Sequence, residues 1–199
     1  MYAIVENNQI TQYINYPKSV VIGDVRYPAK IFQLWSQSEL NAIGIYEVVV
    51  DKTNYKDPEY YINTDSSYSF ANGQVTESWG AATAKQLDDR NATDEDGNEL
   101  DPVVVIEGLK TIHKRIIKEQ ASNLLAKHDW QVVKATEVSD YSVPNAVTTY
   151  RANVRTKSNE METSIDNCTT VDQLKALYEY TEDDDGNITR PLAEFPEEI

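Results

Sequence analysis

The chain has 199 residues, enough for one medium domain or two small ones. Its formal net charge of −15 excludes the class of free-standing nucleic-acid binders, since these need a cationic surface. An anionic membrane surface would repel it for the same reason. A single cysteine, Cys168, rules out an internal disulfide and favours folding in a reducing cytoplasm, and no apolar run has membrane-spanning length.

Tyrosine is the unusual component of the composition. The chain has 13 tyrosines and only three phenylalanines. A tyrosine ring fills apolar space while its hydroxyl stays wet or hydrogen-bonded, so two interpretations are open. One is a sheet with one solvated face, which we favour, and the other is a tyrosine-rich contact surface.

The first 80 residues carry the pattern of short strands separated by turn residues. Ser36 and Glu39 have the spacing of a capping box and Gly44 favours a helix end, which predicts one short helix among the strands. The polar residues and tyrosines of 51–67 predict an ordered loop or excursion. The β-prone segments predict strands at 2–5, 9–14, 20–22, 25–27, 45–50, 68–70 and 75–79.

The second half of the chain changes to a helical period. Apolar residues from Leu109 to Leu125 recur every three or four positions and predict a helix over about 107–127. A similar series from Pro144 to Ile165 predicts a second long helix, antiparallel to the first. Thr170 has capping-box spacing to a glutamine and opens a third, shorter helix.

These patterns predict the α+β class, with an N-terminal antiparallel β-rich module followed by a helical hairpin and a short third helix. We expect four parts along the chain. They are a β-rich docking module at 1–80, a linker or protruding hairpin at 81–106, a helical module at 107–180 and an acidic tail at 181–199.

No residue pattern predicts catalysis, a metal or a cofactor. His113, His128 and Cys168 do not form a zinc-ligand set, and no nucleophile elbow or phosphate loop is present. Two acidic turns, at 94–98 and 181–187, lack the acid positions and the later glutamate of a calcium loop. We interpret both as solvated turns and expect no enzyme.

Three stretches carry a resemblance to a known group of proteins. The first is Leu40-Asn-Ala-Ile-Gly-Ile-Tyr-Glu-Val48, and the second is Gly73-Gln-Val-Thr-Glu-Ser-Trp79. The third joins Leu124-Leu-Ala-Lys-His-Asp-Trp130 to Val143-Pro144 and Tyr150-Arg-Ala-Asn-Val-Arg155. In order and spacing they resemble tailed-bacteriophage tail-fibre assembly proteins, tail assembly chaperones and related baseplate and fibre proteins, over about residues 30–165.

The resemblance implies a non-enzymatic tail or baseplate protein that attaches to the tail fibre or helps to assemble it. Its partners would be other phage tail, baseplate or fibre proteins, present in multiple copies in a symmetric assembly. Its location would be the virion tail, after folding in the host cytoplasm. Two alternatives stay open: a transient fibre-assembly chaperone absent from the mature virion, and a carbohydrate-contacting fibre module whose aromatic rings stack on sugars.

Five residues are candidates for partner binding: Trp79, Trp130, Tyr150, Arg151 and Arg155. We expect Trp130 to lie over the start of the second long helix and Tyr150 to pack against Leu124 or Leu125. Arg151 and Arg155 lie four positions apart, on one helix face, where they could reach carboxylates of this chain or of a partner. The alternative, which we favour, is that the last four candidates only stabilise the helical hairpin.

Overall fold

The structure is a computed structural model that describes the whole chain, Met1–Ile199. It divides into two compact units, Met1–Thr83 and Ala84–Ile199. The first unit contains a five-stranded sheet, and the long helices all lie in the second. The predicted α+β class is therefore confirmed.

Short strands and two short helices build the first unit. The helices are α1 (Ile31–Leu34) and α2 (Gln37–Ala42), and α2 has the predicted capping box between Ser36 and Glu39. The strands are β1 (Tyr2–Glu6), β2 (Gln9–Ile14), β3 (Val20–Ile22), β4 (Val25–Tyr27), β5 (Ile45–Asp51), β6 (Tyr61–Ile62), β7 (Ser66–Ala71) and β8 (Gln74–Trp79). A two-residue strand, β9 (Thr83–Ala84), spans the point in the sequence where this unit ends.

The main sheet has the strand order β2-β1-β5-β8-β7. Its neighbours are antiparallel except for β5 and β8, which run parallel with Val48 opposite Val75. The sheet is thus mixed, and the expectation of an antiparallel module is corrected at this pair. The reason is that β5 pairs with the second strand of the β7–β8 hairpin and not with the first, which reverses the relative direction.

Residues alternate between two apolar clusters, one on each face of the main sheet. On one face Ile4, Ile14 and Ile45 pack with residues of β3, α1 and α2. On the other, Ala3, Val48 and Val75 pack with aromatic rings from β5 and β7. The sheet also curls, because the Tyr13 ring of β2 and the Tyr68 ring of β7, on opposite edges, lie 4.7 Å apart between centroids.

The second unit begins with a hairpin and continues with helices. Its elements are β10 (Arg90–Asn91), β11 (Val105–Ile106), α3 (Leu109–Ala126), α4 (Asp129–Glu137), α5 (Asn145–Asp166), α6 (Val171–Ala176), β12 (Thr181–Glu182) and β13 (Ile188–Thr189). The predicted helices at 107–127, after Pro144 and after Thr170 are confirmed as α3, α5 and α6. Helix α4 was not predicted. None of the helices combines the length and the hydropathy that crossing a membrane requires.

Helices α3 and α5 form the predicted antiparallel hairpin. Lys114 of α3 pairs with Asp166 at the end of α5, at 2.7 Å, whereas Leu125 of α3 contacts Arg151 near the start of α5. Next to the second contact, Ala121 packs with the buried Tyr150 and Val154. At the beginning of α3, the Asp89 carboxylate accepts hydrogen bonds from the Gly108 N–H and the Thr111 hydroxyl, which hold the pKa of Asp89 below its usual value.

The segment after α6 packs back on the helices. Leu192 is fully buried, its N–H donates to the Leu177 carbonyl at 2.9 Å, and Phe195 packs against the Ala121–Tyr150–Val154 cluster. Residues 181–199 are therefore acidic in composition but are anchored by apolar contacts at their C-terminal half.

Candidate partner-binding surfaces

Trp79, the candidate in the first unit, is half-buried at the end of β8. Its ring meets the Tyr55 ring edge-on at 5.2 Å, and its carbonyl accepts a hydrogen bond from the Asn54 side chain at 3.0 Å. These contacts fix the loop that follows β5 against the end of β8. The observed role of Trp79 is thus to hold a loop.

Tyr150 packs in the helical hairpin as predicted. It is 3% exposed, and Leu124 and Leu125 lie in the same apolar cluster. The His128 ring meets it edge-on at 5.5 Å between centroids. The prediction that Tyr150 packs against these leucines is confirmed, and a residue so buried offers almost no surface to a partner.

Arg151 joins three helices. Although it is only 9% exposed, its Nη1 donates to the Leu125 carbonyl and its Nη2 contacts the Asp129 carboxylate, each at 2.7 Å. The carbonyl belongs to the last turn of α3, where it also accepts a hydrogen bond from the His128 N–H at 3.1 Å. Arg151 therefore adds a second donor at the end of α3 and connects it to α4 and α5.

Arg155 is exposed and only weakly held. Its Nη1 donates to the Arg151 carbonyl at 3.3 Å. A guanidinium has five N–H donors in a planar fork, so most of the donors of Arg155 face solvent. Of the five candidates, Arg155 has the chemistry best suited to an external anion.

Trp130 does not pack as expected. It is 58% exposed, so the prediction that it lies over the start of the second long helix is wrong. The reason is that residues 129–137 form α4, a helix in which no residue is buried. Trp130 and its neighbours Val132 and Val133 all face solvent, and the Lys134 ammonium lies 6.0 Å from the Trp130 ring.

A groove of about 470 Å³ runs between α3 and α5. Arg151 and Arg155 line one side and Lys118 the other, and Asp129 is the one acidic residue in its lining. The remaining lining residues are small, polar or apolar: Ala121, Ser122, Leu125, Ser158 and Asn159. We call this the α3–α5 groove. The arginines were candidates from the sequence, but Lys118 and the polar residues were missed, because only the register of the two helices brings them together.

The hairpin at residues 90–106, which we call the arm, has an exposed apolar surface. It is held by the β10–β11 pair and by a bridge between Thr93 and Glu99. Four consecutive aliphatic side chains on its returning segment are exposed, by 38–58%: Val103, Val104, Val105 and Ile106. Leu100 is exposed as well.

The arm and the residues that flank it in the sequence are strongly acidic. Between positions 88 and 107 the only basic residue is Arg90. The acidic residues in this range are all exposed: Asp88, Asp89, Asp94, Glu95, Asp96, Glu99, Asp101 and Glu107. We call them the acidic rim.

The tip of the arm and the β12–β13 hairpin share one turn structure. Asp94 accepts hydrogen bonds from the backbone of Asp96 and Asn98, and Asp183 accepts the same bonds from Asp185 and Asn187. The asparagine in each turn holds the pKa of its aspartate below the usual value. These internal bonds agree with the interpretation of both segments as turns.

No group of three or more His, Cys, Asp or Glu side chains is arranged to hold a metal ion. Burial raises the pKa of the Cys168 thiol, whose sulfur donates to the Ser164 carbonyl. No protein-family model, curated protein or solved structure matches this chain.

Proposed function

We propose that this chain is a non-enzymatic protein of a bacteriophage tail or baseplate that attaches to the tail fibre or helps to assemble it. The observation that carries the proposal of a contact function is the exposed aliphatic surface of the arm. Contiguous exposed apolar surface on a folded protein marks a site of interaction. The assignment to a bacteriophage rests on the sequence resemblance around Leu124–Trp130 and Tyr150–Arg155.

The geometry of the arm supports the proposal of a partner. Val105 and Ile106 form β11 and point to its opposite faces, so the strand is apolar on both faces, and Val103 and Val104 extend this exposed apolar run. An isolated two-stranded hairpin is at best marginally stable in water. A partner that covers Val103–Ile106 would bury this surface and, by the same contact, stabilise the arm.

The acidic rim indicates the chemistry of that partner. Like charges disfavour the contact of two arms, whereas a partner with basic residues around an apolar surface would complement the rim. A structural tail protein and a transient chaperone would both use such a contact. They differ in whether the chain stays in the finished particle.

A virion inventory tests the structural role. Quantitative mass spectrometry of purified particles should find this chain in a fixed ratio to the other tail proteins. If it is missing from particles but abundant in infected cells, the transient chaperone replaces the structural protein. A carbohydrate-contacting module instead requires binding on a glycan array.

The role of the arm is tested with the double variant Val104→Ser and Val105→Ser. We expect it to reduce incorporation of the chain into particles by at least about tenfold, since it removes buried apolar surface from the contact. The matched control is Val21→Ser with Val25→Ser, two exposed valines on the β3–β4 hairpin of the first unit. Equal incorporation of both double variants would contradict a role for the arm.

A further inference from the structure

We propose that the α3–α5 groove binds a carboxylate-bearing peptide segment of a partner protein. This site is separate from the arm, and the proposal does not depend on a phage function. It rests on the charge of the groove, on the free donors of Arg155 and on the way Arg151 is held.

The groove inverts the charge of the molecule. The chain carries a formal charge of −15, yet the groove has three cations and one acidic residue in its lining. Two of the cations already have partners, since Arg151 contacts Asp129 at 2.7 Å and Lys118 contacts Glu162 at 3.3 Å. The net positive charge of the groove is therefore concentrated on Arg155.

Arg155 lines the groove and has unused donors. Its single bond within the chain is the one from Nη1 to the Arg151 carbonyl. That bond fixes the side chain at one end and leaves the rest of the planar fork open. Arginine forks bind carboxylates through two parallel N–H···O bonds, which are shorter and stronger than hydrogen bonds between neutral groups.

Arg151 is a rigidly held part of the groove lining. Because it is buried and held by the Leu125 carbonyl and by Asp129, its position changes little when a ligand binds. Ser122, Ser158 and Asn159 add polar side chains along the same walls. A preorganised site loses less entropy on binding, so modest contacts suffice for measurable affinity.

The lining favours a peptide carboxylate over a phosphate. Asp129 lies in the lining and would repel a dianionic phosphate more strongly than a singly charged carboxylate. Ala121 and Leu125 offer apolar wall for the methylene groups of a glutamate side chain. The groove volume of about 470 Å³ leaves room for one acidic side chain.

Titration calorimetry on the full chain tests the proposal. The probe is a peptide of four glutamates between glycines, acetylated and amidated so that only side-chain carboxylates are present. The buffer holds about 0.15 M salt, where the Debye length is about 8 Å, so that repulsion from distant acids is screened. We expect saturable one-to-one binding, no binding of the corresponding lysine peptide and no displacement by inorganic phosphate at equal concentration.

Three variants locate the binding site. Arg155→Gln should weaken binding by about tenfold or more, because it removes a charged hydrogen-bond donor. Lys118→Gln should weaken binding less, since the Lys118 ammonium is shared with Glu162. The matched control is Lys157→Gln, on the same helix but outside the groove and paired with Glu160 at 2.7 Å, which should bind as the unchanged protein does.

Several outcomes would overturn the proposal. They are the absence of binding, equal binding of the Arg155→Gln and unchanged proteins, binding of the lysine peptide, and displacement by phosphate. Self-association of the chain that disappears in Arg155→Gln, measured by analytical ultracentrifugation, would also overturn it, because the groove would then take a second copy. Arg155 is exposed and makes one bond, so circular dichroism should show the variant folded as the unchanged protein is.

Discussion

At the scale of single residues, neighbours on α5 have different roles because each helical position turns by about 100°. Tyr150 points into the apolar cluster, where it is 3% exposed. Arg151 reaches the end of α3, and Arg155, one turn further along, faces the groove. The one cationic candidate that combines free donors with exposure is therefore Arg155.

Tyr150 permits a test of its hydroxyl separately from its ring. The hydroxyl oxygen is buried and has no hydrogen-bond partner in the protein. Removing an unpartnered buried polar group is neutral or stabilising, so Tyr150→Phe should raise the free energy of unfolding by 0 to about 1 kcal/mol. Tyr150→Ala should lower it by about 3–5 kcal/mol, because it leaves a cavity between α3 and α5.

Urea unfolding followed by circular dichroism measures both variants. The pair of substitutions is its own control, since they differ only in whether the ring is kept. A loss of more than about 1 kcal/mol in Tyr150→Phe would show that the hydroxyl makes a stabilising hydrogen bond.

Some of these residue contacts could be predicted from the sequence and others could not. Helical spacing alone places Tyr150 on the apolar face, and so its contact with the leucines was predictable. Trp130 lies on α4, which has no buried residue. A helix without core contacts leaves no apolar period in the sequence, so its position was mispredicted. The bond from Arg151 to the Leu125 carbonyl depends on where α3 ends, and helix ends are the least predictable feature of a sequence.

At the scale of elements, turn residues mark the two tight turns of the main sheet. Asn7 and Asn8 have φ values of 53° and 63°, and Asn72 and Gly73 have 52° and 74°. Two consecutive positive φ values are the mark of the tight hairpin turn that matches the twist of strands, and asparagine and glycine tolerate them. The parallel pairing of β5 with β8 was not predictable, because alternation fixes the face of each residue but not the direction of its neighbour.

Two glycines allow the cost of backbone conformation to be separated from the cost of a steric contact. Gly44 joins α2 to β5, and Gly73 lies in the β7–β8 turn. Both have positive φ, 83° and 74°, so alanine costs about 1–2 kcal/mol at either position from backbone conformation. A Cβ at Gly44 would lie 2.7 Å from the Val5 carbonyl oxygen, whereas a Cβ at Gly73 meets nothing within 4 Å. We expect Gly44→Ala to lose at least about 1 kcal/mol more stability than Gly73→Ala.

Thermal and urea unfolding of the two glycine variants give the comparison. The difference between them isolates the contact with Val5, since the backbone term is common to both. Equal destabilisation would mean that β1 shifts away from the added methyl group at little cost. In that case the hydrogen bond from the Val5 N–H to the Gly44 carbonyl, 2.8 Å long, would also be weak.

At the scale of the whole molecule, each unit has an apolar core of its own. The first unit packs around both faces of its sheet, and the second around the α3–α5 hairpin with Leu192 and Phe195 contributing from the end of the chain. In the sequence the apolar period changes from two to between three and four only at about residue 107, after the 81–106 segment, so the period alone does not place the division at Thr83. The sequence did not indicate that the last residues pack on the helices. Leu192 and Phe195 are isolated apolar residues among two prolines and many acids, and they form no apolar period.

We expect the two units to fold as separate fragments, because each has its own core. Residues 1–83 and 84–199 would be expressed separately and examined by circular dichroism and by dispersion of amide resonances. The sum of the two fragment spectra should reproduce the spectrum of the whole chain, and each fragment should melt cooperatively. A fragment without a cooperative transition would show that its unit needs the other.

The acidic rim would also govern how fast the arm meets the proposed partner. Two copies of this chain approach slowly, since the field around each arm repels the other before the valines can touch. A partner with basic residues is drawn in by the same field, at rates that can exceed those of uncharged surfaces by orders of magnitude. Added salt would slow that encounter while letting copies of the chain collide more freely, so ionic strength would decide which association comes first.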